Sequence, residues 1–220
     1  MEPGTWPNPP GTDEYALICD RGRQRRLLIV PALFDEAHKL RRLTVQTMRA
    51  LDRAGIDTFL PDLPGTNESL APLDRQDLAS WREAMNVAAY RFNASHALSI
   101  RAGAMLLPED LPQVRYAPIS GKIALRNLLR ARVLVDREAG MDTSREDLLA
   151  EGRADGLRLA GYSLGSDMVA KLADETETNE QPTDIGQAAL GGVALWLRAE
   201  ATGDVAQTEA LARLVTERLE

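Results

Sequence analysis

Continuous apolar runs alternate with helically spaced apolar positions along this chain. Short runs indicate buried strands, and apolar residues three or four positions apart indicate helices that pack one face against a sheet. The predicted strands cover residues 25–30, 56–60, 97–101, 113–119, 157–162 and 193–197. Predicted helices cover residues 40–51, 78–88, 122–135 and 163–173, and a last helix ends the chain. This alternation predicts parallel strand pairing, because each right-handed crossover needs a helix's worth of chain.

The first thirty residues predict an antiparallel element. Residues 14–20 and 25–30 flank Arg21-Gly22-Arg23, which indicates a hairpin with arginines 21, 23, 25 and 26 at a solvated tip. Residues 1–13 are predicted to be a Pro-rich arm ahead of a single domain over residues 14–220. The expected fold class is α/β, a doubly wound and mostly parallel sheet with an N-terminal antiparallel hairpin. In such sheets, ligand sites lie at the carboxyl ends of the strands.

Composition narrows the function classes. With 220 residues, 44% of them hydrophobic and 27% charged, the chain can bury a sizeable core. The net charge of −7 argues against nucleic acid or anionic lipid as the main partner. The apolar run at 188–197 is about half of the roughly 20 residues that a membrane span needs. The N-terminal prolines and acidic residues do not resemble a signal peptide, so we expect a cytoplasmic protein with no membrane span.

Several segments carry a family resemblance. LLIVPALFDEAHKLRR, FLPDLPGTNES and SIRAG follow one another at a spacing that resembles three successive strands and turns of an α/β-hydrolase. Together with DLASWREAM, APISGKIALRNLLR and LRLAGY, they resemble the exosortase A system-associated hydrolase type 2 family over residues 26–198. That resemblance implies an α/β-hydrolase fold and a bacterial exopolysaccharide or exosortase setting. The chain departs from the usual pattern at Asn67 and Glu68, where a hydrolase often has glycine and a smaller residue.

The segment Ser99-Ile100-Arg101-Ala102-Gly103 has the small flanking residues of a nucleophile elbow, with arginine at its centre. A guanidinium cannot act as the nucleophile, and the resemblance implies arginine at this position in the family. One interpretation is an anion site in which Arg101 lies beside the Ala102 N–H and the turn containing Leu33 and Phe34. In this interpretation Asp62 orients Arg101 and Lys122 extends the site. The other interpretation is that Arg101 pairs internally with Asp62, Asp35 or Glu36.

A second candidate nucleophile is Ser163, in the literal G-x-S-x-G sequence Gly161-Tyr162-Ser163-Leu164-Gly165. The plainer interpretation is that Ser163 caps a helix that begins there. The histidine of a triad in this fold follows the nucleophile along the chain, whereas His38 and His96, the two histidines of the sequence, both precede Ser163. His38 could reach the mouth of the site, or could serve only at the start of its helix.

The remaining motifs are weaker. Lys122, Arg126 and Arg130 recur every four residues, which predicts a solvated basic helix face or a docking surface for an acidic protein. The sequence has no phosphate-binding glycine loop, dinucleotide fingerprint or metal-ligand cluster, so we expect no cofactor and no metal.

Three functions remain open. The first is a degenerate, non-catalytic α/β-hydrolase relative that binds an anionic small molecule or a partner protein. The second is a serine-type ester or acyl hydrolase that uses Ser163 or an unconventional set with His38. The third is a structural interaction protein that docks through the basic helix face.

Overall fold

The computed structural model describes residues 1–8, 12–176, 179–198 and 200–219. Its strands are β1 (Glu2–Asn8), β2 (Thr12–Cys19), β3 (Arg26–Val30), β4 (Asp57–Pro61), β5 (His96–Ile100), β6 (Gln113–Tyr116), β7 (Leu157–Leu159), β8 (Tyr162–Leu164) and β9 (Asp184–Ile185). Its α-helices are α1 (Asp35–Arg53), α2 (Leu78–Arg91), α3 (Gly121–Glu138), α4 (Arg145–Asp155), α5 (Ser166–Asp174), α6 (Gln187–Leu190) and α7 (Val205–Arg218). Short 3₁₀ helices cover Leu73–Arg75, Arg101–Leu106 and Leu195–Leu197.

A mostly parallel sheet forms the centre of the described chain, in the order β1-β2-β4-β3-β5-β6-β9. From β4 to β9 neighbouring strands run parallel, and β1 and β2 add an antiparallel edge. Every residue from Leu27 to Val30 of β3 is buried, as expected for a central strand covered on both faces. The predicted fold class is therefore confirmed.

Two helical layers cover the sheet. Leu28, Val30 and Phe59 face one core with α2, α3, α4 and α5, whereas Leu27 and Ile29 face a second core with α1 and α7. This division follows from the alternation of side chains along each strand. None of the helices in the described part of the chain combines the length and the apolar character that crossing a bilayer requires.

The antiparallel hairpin is built from different strands than the sequence predicts. Residues 14–20 do not pair with residues 25–30: β2 pairs with β1 and with β4, and β3 runs parallel to β4 and β5. Part of the predicted arm, residues 2–8, forms β1, whose Trp6 is fully buried. Residues 9–11 of that arm lie outside the described residues.

Ion pairs explain why the connection between β2 and β3 is not a hairpin tip. The Arg21 and Arg23 side chains both bind Asp52, at 2.7 Å, at the end of α1. Arg26 binds Asp20 at 2.8 Å and the fully buried Asp57 at 3.4 Å. These contacts anchor the connection across the amino end of β4 and place β3 on the far side of that strand. The predicted solvated arginine tip is therefore wrong for Arg23 and Arg26, whose side chains are 26% and 14% exposed.

Two further predicted strands are wrong. Residues 157–162 do not join the main sheet: β7 and β8 form a separate antiparallel pair joined by a turn at Ala160 and Gly161, both with positive φ. Residues 193–197 contain a 3₁₀ helix, Leu195–Leu197, instead of a strand. The apolar character of both segments reflects burial against neighbouring helices and not membership of the parallel sheet.

Candidate functional site

The turn after β5 has the geometry of a nucleophile elbow. The strand ends at Ile100, and Arg101 adopts a φ of 55° before the chain enters the 3₁₀ helix Arg101–Leu106. A side chain at Gly103 would collide with the carbonyl oxygens of Pro31 and Val30. The small residue at this position lets the turn pack directly against the end of β3. The predicted position of Arg101, at the tip of β5 in a sharp turn, is confirmed.

Arg101 is held by contacts within the chain. Its Nε donates to Glu36 Oε2 at 2.8 Å, and its Nη2 donates to Glu36 Oε1 at 3.1 Å, a bidentate ion pair. Its Nη1 donates to the Ala117 carbonyl oxygen at 2.9 Å. The guanidinium carbon lies 3.9 Å from the centroid of the Trp196 ring, which gives a cation–π contact. With 8% of the residue exposed, the guanidinium is shielded and well supplied with partners.

These contacts agree with the internal-pair interpretation. Of the three acidic partners considered, Glu36 binds Arg101, and Asp62 instead accepts from Asn67. The role suggested for Asp62, orienting Arg101, is therefore wrong. Leu33, Phe34 and Ala102 are buried in the same apolar core, and Phe34 has a positive φ of 56°.

Two of the Arg101 partners were missed by sequence reasoning. The Ala117 carbonyl has no side-chain signature, and Ala117 itself adopts a positive φ of 46°. Trp196 lay in an apolar run that predicted a buried strand. An aromatic residue near the end of the chain gives no local sign that it covers a guanidinium.

Asp62 is a separate buried acid at the carboxyl end of β4. It is 1% exposed. Its Oδ1 accepts from Asn67 Nδ2 at 2.7 Å and lies 3.7 Å from Arg41 Nη1, while no described residue forms a hydrogen bond with its Oδ2. Burial raises the pKa of Asp62, and the Asn67 amide, the Arg41 charge and the Glu68 backbone N–H partly oppose this shift.

Replacing Asp62 with asparagine is expected to remove a contribution to stability that falls as the pH rises. A carboxyl group with a raised pKa in the folded state binds its proton more tightly there than in the unfolded chain. Its contribution to stability is present at acidic pH and is lost as the pH rises from near 3.8 through the folded pKa. We therefore expect the stability of Asp62→Asn relative to the wild type to increase across that range.

The measurement is chemical denaturation of both proteins over a pH series. The difference between them cancels the opposite trend from Asp20 and Asp52, whose pKa values are lowered by hydrogen bonds from Arg26 and Arg21, respectively. A difference that shrinks with rising pH would contradict the assignment.

Ser163 does not occupy an elbow. It lies within β8, Gly161 belongs to the preceding turn, and Gly165 is the N-cap of α5. The predicted capping role of Ser163 is wrong, because α5 begins at Ser166. Ser163 is exposed and lines a cavity of about 540 Å³ whose described lining contains no histidine.

His38 lies on the other side of β8 from Ser163. Its ring stacks against Tyr162, with centroids 6.3 Å apart, and neighbouring residues of a strand point to opposite faces. Burial raises the pKa of Tyr162 to about 12, so its hydroxyl stays protonated at neutral pH. The two residues suggested for an unconventional hydrolase are thus not brought together.

Lys122 also lies apart from the elbow contacts. It is exposed at the start of α3, where its backbone N–H donates to the Glu175 carbonyl oxygen at 3.0 Å. Arg126 and Arg130 are exposed on the same helix. Among the residues that the structure describes, no group of three or more His, Cys, Asp or Glu side chains could hold a metal ion.

Comparison with solved structures shows what this architecture is. The chain superposes on mouse alpha/beta hydrolase domain-containing protein 10 with a TM-score of 0.54 and 10% identity, over 80% of this chain and 71% of the other. The chain has an α/β-hydrolase fold. A putative hydrolase from Agrobacterium vitis S4 matches equally well, with a TM-score of 0.54 and 13% identity over 80% of this chain and 72% of that one.

A third α/β-hydrolase-fold neighbour was solved with a ligand. Est1E from Butyrivibrio proteoclasticus, solved with ferulic acid, matches with a TM-score of 0.52 and 15% identity over 74% of this chain and 67% of that one. No protein-family model and no curated protein sequence matches the chain. At identities this low, the likeness establishes the α/β-hydrolase fold and leaves the function to be argued from the site.

Proposed function

We propose that this α/β-hydrolase-fold protein is a binding protein that does not hydrolyse esters. The observation that carries the proposal is Arg101 at the elbow position, held by Glu36, the Ala117 carbonyl and the Trp196 ring. A guanidinium has no lone pair with which to attack a carbonyl carbon. The position that would carry the nucleophile of a hydrolase is therefore filled by a cation whose partners are already in place.

The Glu36 pair also bears on what the elbow binds. An anionic ligand at Arg101 would have to displace a carboxylate that already makes both charge-assisted hydrogen bonds. The geometry therefore favours the internal pair over an open anion site. A ligand or partner protein is better accommodated beside the elbow than on it.

The competing function is a serine hydrolase that uses Ser163. The exposure of Ser163 and the cavity beside it favour this alternative. Against it, the described cavity lining contains acidic residues, including Asp74, Asp77 and Asp167, and no general base of the histidine type. A serine hydroxyl without a base is a weak nucleophile at neutral pH, and general-base catalysis contributes about 10²- to 10⁴-fold.

The test is activity and labelling of the purified full chain. We expect no labelling of Ser163 by a fluorophosphonate probe. We also expect no difference between the wild type and Ser163→Ala in the hydrolysis of p-nitrophenyl acetate. Ser166→Ala, a neighbouring serine in the same cavity lining, is the matched control. Enzyme-like turnover that Ser163→Ala abolishes and Ser166→Ala preserves would overturn the proposal.

We further propose a bacterial exopolysaccharide or exosortase setting in the cytoplasm for this binding function. The support is the resemblance carried by PALFDEAHKLRR, PDLPGTNES and SIRAG, and these segments supply the carboxyl-end turns around Arg101 and Asp62 and the first part of α1. Its test is whether deletion of the gene in the source organism changes exopolysaccharide output. Unchanged exopolysaccharide output would contradict this setting and would leave the proposed binding function unaffected.

A further inference from the structure

A cavity of about 670 Å³ lies beside the elbow and plays no part in the Arg101 contacts. It opens between α1, the carboxyl ends of β3 and β4, and the turn that contains Asn67 and Glu68. Pro31, Leu40 and Leu60 contribute apolar wall, and Asp62 contributes a buried carboxyl group. Its volume falls within the roughly 300–1,000 Å³ range typical of small-molecule sites.

Asp62 supplies the specific feature of this cavity. The residue is 1% exposed, and no described residue forms a hydrogen bond with its Oδ2. An acceptor that is buried without a donor destabilises the protein, so a ligand that brings a donor gains from satisfying it. The side chain is held in place through its other oxygen by Asn67. The cavity thus combines one acceptor of fixed orientation, Asp62 Oδ2, with an apolar wall.

The charges around the cavity favour a positively charged donor. Two carboxyl groups, Asp62 and Glu68, line the cavity together with one guanidinium, that of Arg41, and the imidazole of His38, so a single permanent positive charge faces two acids. Arg41 Nη1 lies 3.7 Å from Asp62 Oδ1, beyond a normal hydrogen bond, and its side chain is 39% exposed. Arg41 therefore neutralises Asp62 only in part. A cationic group near Oδ2 would complete that neutralisation, whereas a neutral hydroxyl would supply only a hydrogen bond.

We propose that this cavity, which we call the Asp62 cavity, binds a small organic cation. A primary ammonium group would donate to Asp62 Oδ2 once a local shift uncovers this atom, which is covered in the ligand-free protein, and its apolar body would lie along the wall that includes Pro31. The proposal rests on the binding function proposed above and names the class of ligand for it. Tyr15, which also lines the cavity, offers an aromatic side chain to the cation.

The experiment uses three probes of one shape: benzylamine in its ammonium form, benzyl alcohol and benzoate. Each is titrated into the isotopically labelled full chain at neutral pH, and the amide chemical shifts report both affinity and place. We expect benzylammonium to bind most tightly, with the largest shifts at residues around Asp62 and Asn67. Equal affinity of alcohol and ammonium would overturn the charge argument, and preference for benzoate would overturn the proposal.

Two variants separate a binding role from a structural one. Asp62→Asn should weaken benzylammonium binding about tenfold or more, because the carboxylate acceptor is lost. Arg41→Gln should strengthen it several-fold, since a competing cation is removed from the cavity. Arg213→Gln, at an exposed helix position outside the described cavity lining, should change nothing. A merely structural role for the Asp62–Arg41 pair predicts weakening in both cavity variants, and that result would contradict the proposal.

The outcomes distinguish this inference from the proposed function. Folding of each variant is checked by the dispersion of its amide spectrum before titration. Binding of benzylammonium in a protein that also hydrolyses esters through Ser163 would sustain the cavity assignment and overturn the binding-only function. Absence of benzylammonium shifts in a folded, hydrolytically inactive protein would overturn the cavity assignment alone.

Discussion

Replacing Glu36 with alanine is expected to lower the free energy of unfolding by about 3 kcal/mol. The change leaves the Arg101 guanidinium, whose side chain is 9% exposed, without its bidentate carboxylate. Breaking a buried ion pair by removing one partner costs roughly 3–5 kcal/mol, mainly because a buried charge stays uncompensated. We expect the lower end of that range, since the Ala117 carbonyl and the Trp196 ring still contact the guanidinium. Urea denaturation monitored by circular dichroism measures the loss.

Two controls identify the cause. Glu217→Ala removes an ion pair of similar length, 2.8 Å to Arg213, in which both side chains are more than half exposed, and it should change stability little. The double variant Glu36→Ala/Arg101→Met should recover most of the loss, because it removes the uncompensated charge and leaves an apolar chain of similar length. If Glu36→Ala alone were as stable as the wild type, the Arg101 guanidinium would not depend on Glu36 for its charge compensation. That result would favour the anion-site interpretation.

The same variant tests whether the elbow can accept an external anion. In Glu36→Ala the carboxylate that occupies the Arg101 fork is missing, so added formate should stabilise this variant more than the wild type. Chloride at equal ionic strength controls for screening. Equal stabilisation of wild type and variant by formate would contradict the assignment of Glu36 as the internal ligand of Arg101.

The central elements could be predicted because their signals are local. β3, β4 and β5 are short apolar runs that end at a proline or a sharp turn, and α1 carries its apolar residues at helical spacing. The position of Arg101 was predictable from the same kind of signal, since Gly103 must be small where a turn packs against Val30 and Pro31. At these strand ends and at Gly103, the local residue pattern is enough to indicate the steric requirement.

The sequence-based predictions were wrong where the structure depends on contacts between residues that are far apart in the chain. The pairing of β2 with β4 is stabilised at one end by arginines that reach Asp52 and Asp57, more than 25 residues away, which no local pattern reveals. The antiparallel β7–β8 pair turns at Ala160 and Gly161, and Ala160, with a φ of 49°, is not a residue type that marks such a turn. Arg41, a partner of Asp62, belongs to the same class, because it approaches Asp62 only where α1 packs on the sheet, whereas Asn67 is a local partner in the turn that follows β4.

Replacing Gly103 with alanine should lower the free energy of unfolding by about 3 kcal/mol. The added Cβ would lie 2.9 Å from the Val30 carbonyl oxygen and closer still to that of Pro31. Overpacking of this kind costs roughly 1–3 kcal/mol, and we expect the upper end because both contacts are backbone atoms at the end of a central strand, which cannot rotate away. Thermal and urea denaturation of the purified variant would measure the loss.

Gly186→Ala is the matched control for Gly103→Ala. A Cβ at Gly186 meets nothing within 4 Å, so its cost should stay near or below about 1 kcal/mol, from loss of a favoured N-cap residue. A large difference between the two variants would show that close packing of the turn on β3 is required for stability, although the turn carries Arg101 and no nucleophile. That requirement would account for elbow geometry at a position that carries arginine: the turn joins β5 to the 3₁₀ helix and positions Arg101 over Glu36. Equal, small losses in both variants would contradict it, because the turn could then relax away from β3 without penalty.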